Sequence, residues 1–177
     1  MIILFGNVGS GKGTQAEILA KKTSYQALSS GEVLRQYKDR ADIQSYMQKG
    51  QLVPDELLLE MLGEQIKQAG GKVILDGFPR TVNQAKWLVE TAQQQGLKIS
   101  DIMHLQIPKA EAMKRLLARK RHDDSEAAIE QRFSEYEQKV LPTIDYLKQA
   151  GFSVKEINAD QPVEEVSQEI AGALHAR

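Results

Sequence analysis

Cysteine is absent from the 177 residues, which excludes disulfides and thiolate-bound metal within the chain. An excess of charge of either sign is missing too: 23 Lys and Arg stand against 24 Asp and Glu, for a net charge of −1. Nothing therefore draws the chain as a whole toward nucleic acid or an anionic membrane. No apolar run approaches the length of a membrane span. The opening apolar stretch is too short for a secretory signal and lacks a basic leader, so the expected setting is the cytoplasm. Internal repeats, low-complexity tracts and dividing linkers are lacking as well, and the length suits one well-cored domain with room for a small insertion.

What the chain does have is concentrated at its start, where residues 1–14 read MIILFGNVGSGKGT. Ile2, Ile3, Leu4 and Phe5 are apolar without alternation, as in a parallel strand buried on both faces. Gly6 then opens a loosened G-x-x-x-x-G-K-T in which Gly13 separates Lys12 from Thr14. Glycines at 6, 9, 11 and 13 let successive N–H groups turn inward as a nest, and the helix that follows adds its positive end. The product is a cradle for a polyphosphate. Gly9, Ser10, Gly11, Lys12, Gly13 and Thr14 are its candidate ligands, with Lys12 as the cation for the outer phosphates and Thr14 as a hydroxyl near phosphate or magnesium. A plain tight turn would account for the glycines, but not for the lysine and hydroxyl between a strand and a helix.

Further along, residues 12–22 have helical composition and 25–28 form a short strand candidate. Ser29-Ser30-Gly31-Glu32 offers a helix start, and a second short helix over 39–50 completes a compact insertion between two sheet elements. Pro54-Asp55-Glu56 starts the next helix, and Gly70-Gly71 stops it. Val73-Ile74-Leu75 is a buried strand that delivers Asp76 at its carboxyl end, where ligands of open α/β sheets sit. A helix over 81–95, a strand over 102–107, a helix from 109 to about 121, a long helix from 125 toward 148, a strand over 152–157 and a helix over 163–174 follow. Pro142 is expected to kink the long helix. Alternating strands and helices imply a three-layer α/β/α fold on a five-stranded parallel sheet.

Four blocks of this chain resemble the adenylate kinase family of nucleoside monophosphate kinases, in that family's order: GSGKGTQ (9–15), SSGEVLR (29–35), GQLVPDEL (50–57) and LDGFPRTVNQA (75–85). A fifth, RLLARKRHDD and onward to Phe133, matches with a deletion. The resemblance implies transfer of the γ-phosphoryl group of MgATP to AMP, giving two ADP, by a monomer that uses magnesium and no zinc and has no nucleic-acid or membrane partner. Phosphoryl transfer between two anions needs cations and exclusion of water, and the chain supplies arginines at 35, 80, 115, 119, 121 and 132 besides Lys12. On its own the segment carrying Arg115 and Arg119 reads as a solvated basic stripe. The resemblance instead places Arg115 on the donor adenine with Gln161 nearby, and Arg119 at the donor's outer phosphates. It implies that Arg35 and Arg80 hold the acceptor phosphate and that Arg121 and Arg132 bridge the acceptor and the transferred group. Lys12, Arg80, Arg119, Arg121 and Arg132 are the catalytic set it suggests, and Asp76 would hold magnesium through water. Ser30, Gln51, Leu52, Val53, Gly77, Phe78 and Pro79 would line the AMP pocket, with a cis bond at Phe78–Pro79.

Gln84, four positions after Arg80, would pair with the adenine of AMP, since an amide donates and accepts at once. UMP, CMP or another monophosphate as acceptor is the same-class alternative, and a catalytically silent nucleotide-binding module is the other. The chain also departs from the family pattern. Asn7-Val8 stands in the phosphate loop, the insertion over 29–53 is short, and the lid over 119–124 is vestigial, with Lys120 alone between Arg119 and Arg121.

Overall fold

β1 (Ile2–Gly6) is buried along its whole length, and alternate residues serve opposite faces. Ile3 and Phe5 join one apolar cluster with Leu75, Leu62 and Leu88, whereas Ile2 and Leu4 join another with Ala16, Leu19 and Ile170. A strand that must be apolar on both sides is one sandwiched between helix layers, and so the sequence shows no alternation. The computed structural model describes residues 1–36, 40–49, 51–119 and 125–175.

Five parallel strands lie in the order β2-β3-β1-β4-β5, with β2 Gln26–Ser29, β3 Val73–Asp76, β4 Asp101–Gln106 and β5 Val154–Asn158. The chain leaves β1 for β2, returns to β3 beside β1, and then crosses to β4 on the far side, so the crossovers reverse direction at β1. Crevices at such a reversal collect ligands. α1 (Lys12–Lys22) and α9 (Val163–His175) cover one face of the sheet. α2 (Ser30–Gln36), α4 (Asp55–Gln68), α5 (Val82–Gln94) and α8 (Leu141–Gln149) cover the other. α3 (Ala41–Gln48) lies within the inserted stretch, and α6 (Lys109–Arg119) packs on α7 (Glu126–Glu135) through Ala112, Leu116, Ile129 and Phe133.

The expected strands and helices are present, with ends that differ by a few residues. The long helix carries its irregularity just ahead of Pro142. It runs from α7 into α8 through a π-helical segment, Tyr136–Val140, in which the Leu141 N–H reaches the carbonyl of Tyr136. In a regular α turn the proline ring would press on the carbonyl of Gln138, and the wider turn relieves that contact. The Thr143 hydroxyl donates to the Lys139 carbonyl at 2.7 Å, which occupies an acceptor at the widened segment. Ser125 caps α7 by accepting from the Ala128 N–H at 3.2 Å. Residues 120–124, which precede it, lie outside the described residues.

Leu62 is wholly enclosed between α4 and the sheet, whereas Leu117 is 61% exposed on α6. Leu62→Ala is expected to cost about 2–5 kcal/mol, and Leu117→Ala less than about 0.5 kcal/mol. Urea melts of the two variants check this; similar midpoints for both would contradict the assigned core.

Candidate active site

The sheet register brings the site together. β3 lies between β2 and β1, with Asp76 opposite both Ser29 and Leu4, so the ends of three strands reach the same level. A cavity of about 750 Å³ opens there. Gly9, Ser10, Gly11, Lys12, Gly13 and Thr14 line one side of it, as expected of the phosphate loop. Gly9 and Gly11 have φ of 85° and 87°, and a side chain on Gly9 would meet the Ala112 carbonyl at 2.7 Å. The loop therefore seats directly on α6. The Lys12 ammonium folds over the loop and donates to the carbonyls of Gly6 at 2.7 Å and Asn7 at 2.8 Å. A cation is thus held at the mouth of a ring of N–H groups.

Asp76 stands at the end of β3, and a Cβ on Gly13 would lie 3.4 Å from its Oδ2. The start of α1 at Gly13 thus lies in van der Waals reach of this carboxylate. One carboxylate with the Thr14 hydroxyl nearby is a sparse oxygen set, of the kind that suits magnesium keeping most of its water. Among the described residues no three His, Asp or Glu side chains converge as a metal cluster.

Across Asp76 lies the second group. The Ser30 hydroxyl donates to the Gly77 carbonyl at 2.6 Å, Arg80 Nε donates to the same carbonyl at 2.7 Å, and Arg80 Nη2 reaches Ser30 Oγ at 3.4 Å. Gly77 has φ of 71°, and a Cβ there would sit 2.6 Å from Arg80 Nη2, so the guanidinium occupies space that any other residue would fill. Burial holds the Arg80 pKa below its ordinary value; the nearby Arg132 and Arg35 push the same way, and Asp76 and Glu135 oppose them. Arg35 folds over Gly31, and Arg132 Nη2 reaches from α7 to the Met47 carbonyl of α3 at 3.4 Å. Three arginines, from two helices and a loop, converge on one volume, which suits a phosphate dianion.

The remaining expected residues divide. Gln51, Leu52, Val53, Pro79 and Gln84 line the same cavity. Phe78 does not: it is buried under the site, edge-on to Trp87, and the Phe78–Pro79 bond is cis. Arg115 lines the cavity too, with Nη1 donating to the Ala159 carbonyl at 3.1 Å and Nε to Glu111 Oε1 at 3.2 Å. That hydrogen bond from Arg115 holds the Glu111 carboxyl below its usual range. Gln161 faces the cavity from the β5–α9 connection, and Gln15 Nε2 ties α1 to the Val163 carbonyl at 2.9 Å. The Arg119 side chain, Arg121 and the lid over 120–124 lie outside the described residues.

Sequence reasoning missed two partners. Asp55 looked like a helix start, yet its carboxylate accepts from Gln84 Nε2 at 2.6 Å and from the Thr81 hydroxyl at 2.9 Å. No local pattern links residues 29 positions apart. Tyr136, also on the cavity wall, bonds through its hydroxyl to His104 Nε2, while His104 Nδ1 faces Glu156 Oε2 at 2.7 Å. Burial lowers the His104 pKa against the opposing pull of Glu156, and burial raises that of Tyr136 to about 12.

Two anion pockets facing each other across one carboxylate suit a P-loop enzyme that passes a phosphoryl group between nucleotides. Comparison with known proteins narrows the class. The family model described as adenylate kinase matches residues 4–152. The chain is 39% identical to "Adenylate kinase 1" of Nostoc sp. over 98% of its own length and 97% of that relative. It is 33% identical to an adenylate kinase of Thermus thermophilus over 98% and 96% of the two chains. An adenylate kinase of Desulforamulus reducens is 32% identical over an alignment of 211 positions, covering 98% and 99%, so that relative carries segments this chain lacks. The chain belongs to the adenylate kinase family.

Because the folded-state pKa of His104 lies below its unfolded value near 6.5, the unfolded chain takes up this proton first as pH falls. The stability present above about pH 6.5 is therefore lost progressively below it. His104→Gln keeps a donor for Glu156 and an acceptor for Tyr136 without titrating in this range. Melting temperatures between pH 7.5 and 5.5 should fall less in the variant than in the natural protein; parallel curves would remove His104 as the cause.

Proposed function

We propose that the phosphate loop binds the polyphosphate of ATP, that the arginine pocket binds the phosphate of AMP, and that the γ-phosphoryl group crosses between them beside Asp76. The observation that carries this reading is the placement of Lys12 and the Arg80–Gly77–Ser30 cluster in one cavity, on either side of that carboxylate. The chain is an enzyme of the adenylate kinase family, and its reaction is ATP plus AMP to two ADP. The bond between γ-phosphorus and the β,γ-bridging oxygen breaks, and a bond from γ-phosphorus to an oxygen of the AMP phosphate forms. Magnesium arriving with ATP would neutralise charge on the β and γ oxygens.

The residues' own part is positioning and charge. N–H groups of the loop and of the start of α1 hold the β-phosphate, and Lys12 exchanges its loop carbonyls for phosphate oxygens. Arg35 and Arg80 orient the attacking phosphate, and Arg132, on α7, meets the equatorial oxygens that gain charge in transit. Arg119 and Arg121 complete the cation set in this reading. Arg115 and Gln161 frame the donor base, Ser30, Leu52, Val53 and Gln84 the acceptor base. Closure in this reading falls largely to the short insertion over 29–53, because the lid over 119–124 is vestigial and shields the donor phosphates from water less well. A cytoplasmic monomer that takes nucleotides as its partners completes this reading, and the near-neutral charge gives no general pull toward nucleic acid or an anionic membrane.

Incubating the protein with MgATP and AMP, CMP or UMP in turn, and resolving the products by anion exchange, tests the acceptor directly: AMP is expected to outrun both pyrimidine nucleotides, and the reverse order overturns the reading. Lys12→Met should lower kcat at least about a hundredfold with an unchanged melting temperature, because it removes a charge from the transition state and nothing from the core. A folded variant with near-normal turnover takes Lys12 out of the mechanism. Gln84→Ala leaves the polar edge of the acceptor base unpaired and should raise KM for AMP by the equivalent of about 1–3 kcal/mol, with a smaller change in kcat.

A further inference from the structure

Gln84 is almost wholly buried, and both ends of its amide are held before any ligand arrives. Its Oε1 accepts from the Arg80 backbone N–H at 2.7 Å, and its Nε2 donates to Asp55 Oδ1 at 2.6 Å. A backbone N–H can only donate and a carboxylate can only accept, so the two neighbours impose the same orientation on the amide. Turning it over would set –NH2 against N–H and carbonyl oxygen against carboxylate. One lone pair of Oε1 and one N–H of Nε2 remain for a ligand.

That orientation has chemical content. A 6-amino purine offers a donor at the amino group and an acceptor at N1, and a 6-oxo purine offers the opposite pair, acceptor at O6 and donor at N1. An amide that could turn over would serve both bases with the same two atoms. Selection at position 6 is therefore decided by whatever prevents the turn. We propose that Asp55 is a specificity-determining positioning residue: with the Arg80 N–H it fixes the Gln84 amide in the sense that accepts a 6-amino purine monophosphate and refuses a 6-oxo purine monophosphate. The inference rests on the proposed contact of Gln84 with the acceptor base.

Asp55 is itself fixed. Its Oδ2 accepts from the Thr81 hydroxyl at 2.9 Å, and that hydroxyl accepts from the Gln84 backbone N–H at 3.2 Å, so Asp55, Thr81 and Gln84 form a closed ring of hydrogen bonds across the start of α4 and the start of α5. Asp55 also begins α4, where a negative charge is favourable for its own sake. The test must separate that role from the orienting one.

kcat/KM is measured for AMP and for inosine monophosphate, the 6-oxo counterpart, in the natural protein and in Asp55→Leu, Asp55→Asn and Gln84→Ala, with thermal melts alongside. Asp55→Leu removes the acceptor and should raise the inosine-to-adenosine ratio roughly tenfold. Asp55→Asn loses the charge but keeps a carbonyl to accept from Nε2, and its ratio should stay within about twofold of the natural one. Equal losses on both substrates in Asp55→Leu make Asp55 a structural residue only and overturn the proposal. So does an Asn variant that behaves like the Leu variant, which would trace the effect to charge at the head of α4. An unchanged KM for AMP in Gln84→Ala defeats the base contact itself and this inference with it, whereas a raised KM there beside an unmoved ratio in Asp55→Leu defeats Asp55 alone. Should Asp55→Leu not fold, Asp55→Ala removes the same acceptor and carries the same comparison.

Discussion

The parallel pairing of β3 between β2 and β1 is the constraint on which the site depends. It sets Ser29, Asp76 and Leu4 side by side, and each strand then hands its chain to a different structure: the phosphate loop from β1, α2 from β2, and the Gly77–Arg80 turn from β3. None of these segments has much reason of its own to approach the others. A slip of one residue in β3 would turn Val73 and Leu75 toward the wrong helix layer, so burial on both faces protects the register and, through it, the position of Asp76.

Much of this was legible in the sequence, for reasons that can be named. Unbroken apolar runs marked β1 and β3 because a strand covered on both sides cannot alternate. Glycines marked the loop because Gly9 and Gly11 adopt left-handed φ and Gly9 has no room for a side chain beneath Ala112. Arginines at 35, 80 and 132 were visible as types, and their family pattern implied a shared destination; the geometry brings them to one cavity. Phe78 was expected to line the AMP pocket and instead supports it from below, against Trp87. A motif assigns membership of a turn but not which side of the turn a ring faces.

What stayed hidden is long-range and polar. Asp55 and Gln84 meet only because α4 and α5 start next to each other, and neither helix announces its neighbour in its own residues. The outcome at Pro142 was invisible for a related reason. The proline ring is relieved by the π segment, while Val140, Ile144 and Leu147 all pack into the same core cluster as the sheet. The widened segment also carries Tyr136 to the cavity wall, so a backbone accommodation and a site residue share one origin.

The arginine pocket sets Arg35 and Arg132 near Arg80, where burial and the repulsion of these two weigh against its cation while Asp76 and Glu135 favour it. An incoming phosphate relieves that repulsion as well as making its own hydrogen bonds, so ligand and scaffold cure each other's deficit. A phosphate bound there would thereby add its binding energy to the stability of the folded chain.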